Sequence, residues 1–137
     1  MTLAWWQRLL LLIVIISSAA TFAELLLLEH TEEFYQLIPV VLLPAATITA
    51  VIVLLKPKRW SINLFRIVLV LCLLSAGLGI VLHYLGNTEF ELERHPDLRG
   101  WALFSNSIMG ATPALAPGTM AQLSLIGLLA TYFRRRA

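Results

Sequence analysis

Charge and cysteine are both scarce in this chain. Only 13% of its 137 residues are charged, where soluble domains carry about a quarter, so little of the chain is built to meet water. The single cysteine, Cys72, lies inside an apolar run. One thiol can neither close an internal disulfide nor form a CxxC redox pair, which weighs against thiol–disulfide chemistry and leaves Cys72 as a small packing residue. The sequence also has no GxSxG nucleophile elbow, no CxxCH haem attachment site, no Gly-rich phosphate loop, and no HExxH or paired ExxH motif. Glu32-Glu33 lacks an arginine four residues on, as an intramembrane glutamate protease would suggest; Leu37 stands there.

Apolar residues make up 59% of the chain. A membrane-crossing helix needs about 20 of them in succession, because the hydrocarbon core is about 30 Å thick. Four stretches qualify: 9–28, 34–55, 62–85 and one within 113–133. Lipid offers backbone groups no partner, so a span is a helix or part of a closed barrel. Continuous runs such as Leu9–Ile16 and Ile67–Leu74 lack the alternation of a barrel strand. The start of the chain has signal-peptide features in Arg8, an apolar run and the small residues Ser17 to Ala23. The apolar character resumes at Leu25–Leu28, and the expectation is a retained first helix. With only His83 inside a span, a bis-histidine haem within one chain is excluded.

Charge sets the expected orientation. All eight acids fall in two segments, 24–33 and 86–100, together with only Arg94 and Arg99. The other eight Lys and Arg residues (Arg8, Lys56, Lys58, Arg59, Arg66 and Arg134 to Arg136) flank the opposite ends of the spans without an acid. Cationic loops stay cytoplasmic, so both termini and the Lys56–Arg59 turn are expected inside and the acidic segments outside. Trp5, Trp6 and Trp60 sit beside the inner bases, as interfacial aromatics do. Arg66 is expected to snorkel inward. The Arg134–Arg136 triplet reads as a topology anchor, not a nucleic-acid patch. Short links make sequential helices antiparallel. Ala46 and Ala50, and Cys72, Ala76 and Gly79, offer small faces for close helix packing.

The last third is interrupted. Gly110, Pro113, Pro117 and Gly118 break an apolar stretch that runs from Trp101 to Phe133. Before the break, Leu98, Trp101, Ala102, Ser105, Ile108 and Met109 follow helical spacing, which predicts a short outer interfacial helix over 97–109, starting at Pro96 or Asp97 and ended by Gly110. After it, a helix starts either at Pro113, capped by Thr112, or at Pro117. Broken backbone at membrane depth must be buried in protein or line a wet cavity.

The expected architecture is an all-α, single-domain, antiparallel four-helix membrane bundle with that interfacial helix. Two outer constellations are candidate sites. Glu24 and His83, ionisable residues inside apolar stretches, could form a proton- or cation-binding pair or a structural polar contact. The break, with Asn106, Thr112, Thr119 and Gln122, would roof a pocket near them or satisfy its own backbone. Glu29, His30, Glu33 and His95 are possible ligands for a divalent metal, against a reading as a solvated acidic face. The size, the four spans and the embedded glutamate resemble the small multidrug transporters in architecture alone; Glu24 lies near the outer end of its helix and the interrupted last segment departs from that pattern. The leading expectation is a non-enzymatic accessory protein or subunit of a larger assembly in the plasma (inner) membrane, with lipid, other membrane subunits or a second copy as partners. A small carrier using Glu24 and His83, or a metal-dependent membrane enzyme, are the competing expectations.

Overall fold

The computed structural model describes residues 2–110 and 112–132. It is all-helical, with no strand among the described residues. The elements in chain order are α1 (Trp5–Leu27), a 3₁₀ turn (Phe34–Gln36), α2 (Leu37–Leu55), α3 (Arg59–Arg94), α4 (Gly100–Ile108) and α5 (Gly118–Tyr132). Three helical stretches, Trp5–Leu27, Phe34–Leu55 and Arg59–Arg94, are long and apolar enough to cross a membrane. The chain divides into two compact units, one of residues 1–75 with 120–137 and one of residues 76–119.

In the first unit, buried positions recur at helical spacing: Leu11, Val14 and Ser18 on α1, Leu43, Ala46, Ala50 and Val53 on α2, and Ile62, Phe65, Leu69 and Cys72 on α3. The opposite faces are apolar too, with Leu9, Leu12, Ile13, Ile16, Val41, Ile48, Ile67 and Leu74 exposed. A helix that is hydrophobic all round is adapted to an apolar medium. Small residues set the approach distances: Ala46, Ala50 and Cys72 are fully buried. Between α1 and α2, the hydroxyls of Ser18 and Thr47 meet at 2.7 Å while each also bonds its own preceding turn. Gly127 brings α5 against α3, since a Cβ there would lie 2.6 Å from Leu69 Cδ1 and 3.0 Å from Phe65 Cζ.

Two polar side chains bond the backbone of α5 near its last described residues. Gln7 Nε2 donates to the Ala130 carbonyl at 2.9 Å, and its Oε1 accepts from the Ala4 N–H. Arg66 donates to both the hydroxyl and the carbonyl of Thr131. The Arg66 guanidinium, expected only to snorkel, is therefore bound to a neighbouring helix. The α1–α2 link is equally specific. Glu29 adopts φ 51°, the Glu29 N–H bonds the Leu26 carbonyl and the His30 N–H bonds the Leu25 carbonyl. This is the Schellman ending, with Glu29 where glycine is usual. Gln36 Oε1 then accepts from the N–H groups of Glu32 and Glu33.

Several helix bounds differ from the sequence reading. α1 begins at Trp5 instead of Leu9, and α3 at Arg59 instead of Ile62. More consequentially, α3 continues through 86–94, which reads from its charges as an outer loop. Glu and Arg favour a helix even where they are unsuited to lipid, and Arg94 in the last turn suits the dipole. Pro96 follows the end of α3, as the restriction on a residue preceding proline requires. α4 does not start at Pro96 or Asp97. Residues 95–98 form a turn in which the Leu98 N–H bonds the His95 carbonyl, Arg99 donates to the Pro96 and Leu98 carbonyls, and Gly100 takes φ +57° to admit the helix. α5 starts at Gly118, not Pro113, because residues 113–119 close three successive turns through Ala116, Gly118 and Thr119 N–H groups. Phe133 and Arg134 to Arg136 lie outside the described residues.

Candidate functional site

In the unit of residues 76–119, side chains four residues apart along α3 engage the interrupted segment. A Cβ on Gly79 would stand 2.9 Å from Pro117 Cβ. His83 Nδ1 lies 3.1 Å from the Pro113 carbonyl, which makes Nδ1 the protonated nitrogen of that bond. Asn87, 3% exposed, uses both ends of its amide. Its Nδ2 donates to the Ser107 and Thr112 carbonyls at 2.9 and 2.6 Å, and its Oδ1 accepts from the Thr112 N–H at 3.2 Å. Because positions four apart share one helix face, Gly79, His83 and Asn87 form a stripe: a gap for a proline ring, a donor for a carbonyl, and an amide that pairs with a peptide group as a neighbouring strand would.

A second layer supports the stripe. Thr88 donates to the Ser107 hydroxyl at 2.9 Å, and fully buried Ser107 donates to the Leu103 carbonyl. Gly110 is obligatory in this packing, since a Cβ would come within 2.6 Å of Asn87 Cγ and 2.9 Å of Asn87 Cβ. The two prolines remove N–H donors, and the Thr112 and Pro113 carbonyls find side-chain partners on α3.

One open cleft of about 390 Å³ lies beside this lock, lined by Phe90, Glu91 and Arg94 of α3, Asn106 of α4, and Met109 and Gly110. The Arg94 guanidinium lies over the Phe90 ring, 5.5 Å from its centroid.

The expected site residues are distributed as follows. His83, Asn106, Thr112 and Thr119 belong to the unit of 76–119. Thr112 contributes its peptide groups to Asn87, Asn106 lines the cleft, and Thr119 Oγ1 bonds the Ala116 carbonyl. Glu24, exposed on α1, and Gln122, exposed on α5, belong to the other unit. Glu29, His30 and Glu33 occupy the α1–α2 link, and His95 follows α3 with its N–H on the Glu91 carbonyl. No group of three or more His, Cys, Asp or Glu suited to a metal ion occurs among the described residues. Asn87 is the residue that sequence reasoning passed over. Its signal was a position four residues beyond His83, which carries meaning only once the helix is known to continue past Leu85.

No family model matches the chain, and no curated protein or solved structure matches it.

Proposed function

We propose that this chain is a non-enzymatic accessory protein or subunit of a larger assembly in the plasma (inner) membrane. In this reading four spans form an antiparallel bundle with both termini cytoplasmic, α5 belongs to the fourth span, and α4 lies along the outer membrane surface. Three helices long and apolar enough to cross support it, as does the segregation of acids and bases along the sequence. The fifteen described residues of α5 supply about 22 Å of that fourth span at 1.5 Å each. On α4, Trp101 is 77% exposed; its ring lies 5.2 Å from that of Phe104, which lies 5.9 Å from Tyr84. Exposed clustered aromatics are favoured at the headgroup level.

The observation that carries the accessory reading is the Asn87 lock. A segment that gates a carrier has to move, whereas this one is tied to α3 by a buried amide using three hydrogen bonds. Such an arrangement suits a preformed surface presented to a partner. Cross-linking in native membranes followed by gentle extraction tests the proposal. The expected result is a membrane subunit held at fixed stoichiometry and released by Asn87→Ala. A protein that purifies alone, together with a transport activity abolished by Glu24→Gln, would favour the carrier instead. Sidedness is tested separately: a cysteine introduced as D97C in a Cys72→Ser background should be labelled from outside intact cells.

A further inference from the structure

The cleft beside the lock carries a carboxylate and a guanidinium that are not paired with each other. Among the described residues, neither Glu91 nor Arg94 makes an ion pair or a side-chain hydrogen bond, although both line the same cleft with the Asn106 amide. Phe90 and Met109, 44% and 78% exposed, form its apolar edges. The volume, about 390 Å³, falls within the range of about 300–1,000 Å³ typical of small-ligand sites. Depth narrows the choice. Phe90 follows Leu85, the last residue of the apolar stretch, by five positions, about 8 Å along the axis. Helical side chains lean toward the N-terminus, and the Arg94 guanidinium does so, lying over Phe90. Both groups therefore sit at about the outer edge of a headgroup layer some 5–8 Å thick.

We propose that this cleft holds the phosphoethanolamine headgroup of an outer-leaflet phospholipid, a reading that rests on the outward topology proposed above. The phosphate bonds Arg94 and the Asn106 amide, the primary ammonium bonds the Glu91 carboxylate, and the acyl chains leave past Phe90 and Met109. Arginine and carboxylate supply charge-assisted bonds to these two groups. A choline headgroup has no N–H for Glu91, and an anionic glycerol headgroup places no cation beside it.

The full-length protein, reconstituted in equal phosphatidylethanolamine, phosphatidylglycerol and phosphatidylcholine and released into mild detergent, should retain one phosphatidylethanolamine by native mass spectrometry. Glu91→Gln should lower that retention about tenfold, the effect of losing one charge-assisted bond, and bring it level with phosphatidylcholine. Arg94→Gln should lower retention of all three. Soluble glycerophosphoethanolamine should compete only at far higher concentration, because it lacks the chains. Equal retention of the three lipids, preference for phosphatidylglycerol, or unchanged retention in Glu91→Gln would overturn the proposal. Should Glu91→Gln not fold, Asn106→Leu, which fills the cleft and keeps both charges, must lower retention instead. Retention in detergent does not depend on sidedness, so a cytoplasmic result in the D97C labelling would fail the topology and not the headgroup site.

Discussion

The two units differ in what their side chains must hold together. In the unit of 1–75 with 120–137, continuous helices meet mainly through buried stripes of Leu, Val, Ala and Cys, with the Ser18–Thr47 contact between α1 and α2 and the bonds of Gln7 and Arg66 to α5 added to that packing. In the unit of 76–119, the decisive contacts join polar side chains to backbone: Asn87 to Ser107 and Thr112, His83 to Pro113, Thr88 through Ser107. The difference follows from what each must satisfy. Continuous helices bond their own backbones and leave only packing to arrange. A segment interrupted by Pro113 and Pro117 leaves peptide groups without helical partners, and side chains must complete them. In the unit of 76–119, polar residues are thus spent where the helix fails.

This contrast predicts a ranking of substitutions, read by thermal or denaturant unfolding in detergent with hydrogen exchange as the local probe. Asn87→Ala should be the most damaging, at about 3 kcal/mol, because it strips the Thr112 peptide group and the buried helix-end carbonyl of Ser107 of their partners. The loss should concentrate in 103–119. Gly110→Ala comes next, at about 2 kcal/mol, since the new methyl meets the rigid base of Asn87. Gly127→Ala should cost about 1 kcal/mol: its nearest obstacle, Leu69 Cδ1, is a side-chain end that can turn aside. Ser18→Ala should be smallest, at about 0.5 kcal/mol, because hydroxyl contacts between helices in lipid are worth little more. A Ser18→Ala effect equal to that of Asn87→Ala would erase the distinction between the units.

The apolar unit was largely legible in the sequence. Ala46, Ala50 and Cys72 mark close-packed positions by size and spacing, and all three are fully buried. The Lys56–Arg59 turn is legible from its charge and proline. The polar unit was legible only as a break. Glu89, Glu91 and Glu93 mark where the chain becomes fit for water, and that reads as the end of a helix, yet charge ends only the lipid-compatible stretch and α3 continues to Arg94. That misreading hid Asn87, whose position on the Gly79–His83 face exists only within a continuing helix. Arg66 was placed by its charge alone, whereas its partner Thr131 lies 65 residues away, a separation that local pattern does not encode.

One buried amide, that of Asn87, holds the interrupted segment to α3. Hydrogen exchange at the Thr112 amide, measured on the full chain in lipid nanodiscs, tests it most directly. That N–H donates to Asn87 Oδ1, so the account predicts strong protection in the native protein, lost in Asn87→Ala, while amides of α1 and α2 keep theirs. A Thr112 amide that exchanges at the rate of an open loop in the native protein, or stays protected after Asn87→Ala, would contradict it.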